Sequence, residues 1–214
     1  MSSQLRALRG KSMIEVAEMM RAFKLDECGE VPFSRRVLRS CSSNSVFELI
    51  PLAALSILYL KDHFHHLFFA REQDVWWEKD ASFASHSGDG PRWHLIRKNP
   101  LLTMSGTRWN MEAMKAQIPV GEQLLPARVL VGTALLLSMV RGECWLQNFY
   151  APSSDTVNGC TVCVGYNESV GGLDVVLERG YMYHKFGLVT EMKPKHSRRR
   201  RNGDRHIRSG QVPA

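Results

Sequence analysis

The chain has 214 residues, 44% of them hydrophobic and 23% charged, enough for one domain with a sizeable core and cramped for two. Its five cysteines are an odd number, scattered through a chain too long to need disulfide staples, which argues against a disulfide-framed secreted scaffold and for a reducing, cytoplasmic setting. The net charge of +7 is local: residues 193–214 hold Lys193, Lys195, Arg198, Arg199, Arg200, Arg201, Arg205 and Arg208 against Asp204 alone, so eight of the 28 basic and one of the 21 acidic residues lie there, and the rest is formally neutral.

The chain opens with Leu5, Leu8, Val16, Met19, Met20 and Phe23 near helical spacing, which predicts a helix over 4–24. No uninterrupted apolar region marks a secretory signal. Arg6, Arg9 and Lys11 among the first acid-free residues leave organellar import as the alternative to an ordinary amphipathic helix. A turn-rich stretch follows, so 1–44 reads as helix and linker, 45–192 as a globular body and 193–214 as a basic tail.

Ser45 is a cap for a second helix beginning near Val46 and running toward Arg71, with Pro51 leaving its start open. The apolar run LIPLAALSILYL, 49–60, falls well short of the roughly 20 residues that span a bilayer and is expected as a core helix. KDHFHHLFF, 61–69, follows. On a helix Asp62 and His66 stand i,i+4 and His63 and His66 stand i,i+3, so either pair can offer two ligands to zinc or a similar ion. Further ligands would come from His86, Asp89, Cys28 or Cys41, and nothing in the sequence fixes them. The plainer reading has Phe64, Leu67 and Phe68 packing inward, the histidines bordering the core, Asp62 pairing with His66, and no cofactor.

Residues 80–91 are a loop by composition, and the stretch HSGDGPRWHLIRK, 86–98, is the densest mixture of acid-base and anion-binding groups in the body: His86, Asp89, Arg92, His94, Arg97 and Lys98. Residues 93–98 alternate as a strand, with Trp93 expected in the core. Phosphate-loop, dinucleotide and GxSxG patterns are absent. Thr107 is the expected cap of a short helix over 108–117. Pro126 and Gly142 then bracket a helix over 126–141 that is apolar nearly all round, the pattern of a buried central helix.

Beyond it the period changes to two. Strands are expected over 144–151, 160–166, 173–178 and 185–192, with turns near Asn158-Gly159, Gly171-Gly172 and Arg179-Gly180. Short links between consecutive strands favour antiparallel pairing. Cys160 and Cys163 on one strand point to opposite faces, which suits packing better than redox or metal chemistry. GYMYHKF, 180–186, places Tyr181 and Lys185 where stacking and phosphate contact could combine.

The expected fold is therefore α+β: N-terminal helices and one buried central helix packed on a C-terminal antiparallel β-meander. The tail has almost no apolar material with which to offset the entropy of ordering, and four adjacent arginines repel one another unless a polyanion neutralises them. The expected function is a nucleic-acid-associated binding or accessory protein, contacting RNA or DNA through the basic tail and through Arg92, Arg97, Lys98, Tyr181 and Lys185. The alternatives are a small hydrolase, with or without a metal ion, built on the His/Asp cluster, or a scaffold subunit docking on a protein partner. No transmembrane segment is expected.

Overall fold

Pro126 and Gly142 bracket the longest helix among the described residues, and the arrangement is understood most easily outward from it. The structure, a computed structural model, describes residues 30–43, 46–68, 81–88, 90, 92–101, 103–104, 110–167, 171–178 and 185–194. Within these the helices are α1 (Arg35–Ser43), α2 (Ile57–Phe64), α3 (Ala81–Ala84), α4 (Met111–Lys115) and α5 (Ala127–Arg141). The strands are β1 (Phe47–Leu52), β2 (Arg92–Arg97), β3 (Thr103–Met104), β4 (Glu122–Leu124), β5 (Ala151–Val157), β6 (Cys160–Asn167), β7 (Gly172–Leu177), β8 (Phe186–Gly187) and β9 (Thr190–Met192). The chain is α+β, and among the described residues every pair of named strands is antiparallel, while two isolated bridges, Phe68 to Leu173 and Tyr150 to Phe186, are parallel.

Helix α5 follows the expected limits. Pro126 is its N-cap, and the Ala127 amide, which no turn of the helix can satisfy, donates to Asp155 Oδ2 at 2.7 Å across from β5. At the other end Gly142 adopts φ 67°, left-handed backbone that a residue with a Cβ takes only under strain, and its amide donates to Ser138 O at 2.8 Å. The helix is buried on nearly every side because it has three neighbours. One is the four-stranded sheet, which contributes Ile50, Leu52 and Ile96; the second is the meander, with Ala151, Val162, Val164 and Val175; the third is α2, with Ile57, Leu60 and Phe64. Val129, Leu130 and Val131 have no exposed surface.

The meander is real but displaced. It has three strands, ordered β5-β6-β7. The strand expected over 144–151 instead begins at Ala151, and residues 145–148 form a turn that buries Trp145 and Leu146 and lets the Trp145 indole donate to Lys98 O at 2.9 Å. Pro152, which would interrupt a central strand, is tolerated because β5 is an edge strand whose register slips between Pro152 and Thr156. Asn158 and Gly159 turn the hairpin with φ 51° and 78°, the doubly left-handed pair that matches strand twist.

The run 185–192, expected as the fourth meander strand, divides. β8 pairs with β3, and β9 enters the four-stranded sheet, ordered β1-β2-β9-β4. The helix expected from Val46 is also corrected: residues 47–52 form β1, paired with β2 from Phe47↔Arg97 to Leu52↔Arg92. Pro51 cannot donate within a helix, yet costs nothing on the open side of an edge strand. The helix that follows is shorter and capped by Ser56, whose Oγ accepts from the Tyr59 amide at 3.1 Å; Ser45 lies outside the described residues. Asn110 caps α4, accepting from the amides of Glu112 and Ala113, and Thr107 lies outside the described residues. The helix expected over 4–24 and the tail from Lys195 also lie outside them.

Candidate functional site

Antiparallel partners share a face, so the register of the four-stranded sheet sorts its polar side chains into two groups. Ile96 faces Glu191, Glu191 faces Gln123, and Ile50 faces His94. Hence Arg92, His94, Gln123 and Glu191 lie on the face that carries Ile50, Leu52 and Ile96 toward α5. Leu124 faces Thr190 and Phe47 faces Arg97, so Arg97, Glu122 and Thr190 occupy the opposite face.

On the α5 side, His94 Nδ1 and Glu191 Oε2 are 2.5 Å apart, with residue exposures of 2% and 3%. Glu191 Oε1 accepts from Gln123 Nε2 at 2.8 Å. Burial by itself raises the Glu191 pKa, but the hydrogen bond and charge of His94, the Gln123 amide and the Arg92 charge together outweigh it and hold the carboxyl below its ordinary value. Glu191 is therefore the ionised acceptor and His94 Nδ1 the donor. With so little exposure the imidazole is closed off from solvent; the pair ties β2 to β9, while Gln123 adds β4.

On the other face Glu122 accepts from Arg97 through Nε at 3.2 Å and Nη2 at 2.6 Å, a two-pronged contact, and also from the Thr190 hydroxyl. The Arg97 guanidinium lies 4.7 Å from the centre of the Phe47 ring. At the end of the sheet Glu48 accepts from both outer nitrogens of Arg141 and stands 3.9 Å from Lys98 Nζ. Of the phosphate-contact candidates on the body, Arg97 is thus occupied internally, Lys98 is half so, Arg92 is half-buried beside Glu191, and Lys185 is exposed. Tyr181 lies outside the described residues. Lys193 is exposed, with its amide fixed to Gly121 O at 2.8 Å just beyond β9, and the described chain ends at Pro194.

The histidine cluster is also separated. Helix α2 ends at Phe64, and His65–Leu67 form a tighter 3-10 turn, so the i,i+4 geometry assumed for Asp62 and His66 does not hold. Asp62, His63, His65 and His66 are exposed. His63 stacks on Tyr59 at 3.9 Å, with Nδ1 2.9 Å from Tyr59 O. Among the described residues no three His, Cys, Asp or Glu side chains group to hold a metal ion. His86 is exposed, and Asp89 and Cys28 lie outside the described residues. Cys163 is buried and Cys160 only partly so, as expected for residues on opposite faces of β6. Burial first and the Glu178 charge second push the Cys163 thiol far above its ordinary range, so it stays protonated and unreactive.

Sequence reasoning singled out His94 within its polar stretch but missed Glu191, Glu122, Gln123 and Thr190. One signal was present: a glutamate in the middle of an apolar strand requires a buried partner. No family model, curated protein or solved structure matches the chain. Among the described residues no helix is long and apolar enough to cross a membrane.

Proposed function

We propose that the protein is a nucleic-acid-associated binding or accessory protein, in which an α+β body carries an arginine-rich segment that contacts the phosphate backbone of RNA or DNA. One observation carries this reading: residues 193–214 hold eight basic residues against one acid, while the remainder is formally neutral. Cations concentrated in a segment poor in apolar side chains gain little from folding and much from releasing the counterions of a polyanion. The body supports the same division, because Arg97, Arg141, Lys98 and Lys115 all have carboxylate partners within the chain. Binding through such a segment contacts phosphates rather than base edges, so sequence preference should be slight.

The test is the salt dependence of RNA and DNA binding by the full chain and by a chain ending at Pro194. The cut leaves the Lys193 amide bonded to Gly121 and removes seven basic residues and one acidic residue. The full chain should bind with affinity that falls steeply as salt rises, and the shortened chain should lose most of it. A full chain that binds neither nucleic acid at low salt refutes the reading. The hydrolase alternative has no comparable support in the exposed, separated histidines of α2 and the turn that follows it.

A further inference from the structure

Helix α1 has an unusual charge arrangement for its place in the chain. Arg35, Arg36 and Arg39 are all exposed, and no acidic residue lies in its first turn. At 3.6 residues per turn the three fall within about 100° of arc, and the outer two are about 6 Å apart along the axis. Val37 and Leu38 are half-buried, so the helix has an inner apolar side and an outer cationic one. Ser34 sets its start, its carbonyl accepting from the Leu38 amide at 3.0 Å and its hydroxyl from Val37.

The arginines are placed against their own helix. Like charges at i,i+4 repel, and cations in a first turn oppose the helix dipole. Among the described residues none of the three has a carboxylate within ion-pair distance, whereas Arg97, Lys98, Lys115 and Arg141 each have one. A local rule broken without compensation among the described residues points to an external partner. That partner is anionic and meets three charges spread over about 6 Å.

We propose that the outer face of α1 is a second contact surface for the sugar–phosphate backbone of a nucleic acid, with Arg35, Arg36 and Arg39 each neutralising a phosphate. The inference rests on the nucleic-acid reading above and adds a site on the folded body to it. Arginine suits the role because its planar guanidinium grips phosphate oxygens in pairs.

The experiment uses the full chain with a short mixed-sequence RNA single strand, a DNA duplex of the same sequence, and phosphatidylserine-containing vesicles. Replacing the three arginines with glutamine should reduce the slope of log K against log salt by about 2 for the single strand and about 2.7 for the duplex, and replacing them with lysine should restore it. The arm with the tighter binding identifies RNA or DNA as the source of the phosphates. A reading free of any variant comes from arginine-selective chemical modification of the wild-type chain: bound nucleic acid should protect Arg35, Arg36 and Arg39 and leave Arg97, already paired with Glu122, unchanged. Binding with an unaltered slope in the glutamine variant, or without protection of these arginines, overturns the α1 surface while the wider function stands. A wild-type chain that binds vesicles and neither nucleic acid overturns both.

Discussion

A carboxylate with 3% of its surface exposed must find donors inside the protein, and Glu191 has two, His94 Nδ1 and Gln123 Nε2. Removing one member of such a pair leaves the other buried without compensation, which costs about 3 kcal/mol. Glu191→Ala should therefore lower unfolding free energy by about that amount in urea, and His94→Ala should do much the same. The pH dependence follows from the direction of the shift. Glu191 has a lower pKa folded than unfolded, so as pH falls the unfolded chain takes up this proton first. The stabilisation is fully present above the ordinary glutamate range and is lost progressively as pH drops through and below it. Denaturation followed from neutral to acid pH should show a steeper loss of stability for the wild type than for Glu191→Gln. Parallel acid limbs would mean that folding leaves the Glu191 pKa where it is in the unfolded chain.

Between residues and fold stand the elements, and α5 is the one on which the others depend. Leu136 is 5% exposed within it, and Leu136→Asp should abolish cooperative melting, since an unpaired charge there costs several kcal/mol. Asp155→Ala should be milder, about 1 kcal/mol, because it removes one capping bond to the Ala127 amide; calorimetry separates the two. The same helix marks what could be read in advance. Pro126, Gly142 and an apolar surface all round are local signals, so its limits and burial were legible. Asp155 as its cap was not, because that contact joins residues 28 apart in sequence. The stretch 46–56 misled for a related reason: its apolar run suits helix and buried strand equally, and pairing with β2 decided the matter. In 185–192 one strand was read where two short ones form, and their partners were not read, since β3, β2 and β4 lie far back in the chain. Of the polar groups on the sheet Arg92, His94 and Arg97 were singled out and their partners were not, because each pair is made across strands.

For the molecule as a whole, the excess charge of the sequence lies in residues 193–214, and the last described strand ends at Met192. A protein ending at Pro194 keeps every described strand and every described ion pair, so its melting temperature should stay within about 2 °C of the full chain, under the shift that 1 kcal/mol produces at this size. Differential scanning fluorimetry on the two proteins decides it, and a large drop would show that residues beyond 194 support the body.

The position of β9 has a further consequence for synthesis. This three-residue strand lies between β2 and β4, with Glu191 paired to Ile96 on one side and to Gln123 on the other. During translation β1 and β2 can emerge and pair, but β2 keeps an open edge and β4 has no neighbour until residues 190–192 have left the ribosome. The half-built sheet therefore exposes unpaired backbone while the residues between β2 and β9 are being added, the condition in which nascent chains recruit chaperones or join other chains edge to edge. Ribosome-bound chains stalled before Thr190 should be protease-sensitive across 92–97, and chains stalled far enough beyond Pro194 for β9 to clear the exit tunnel should be resistant there.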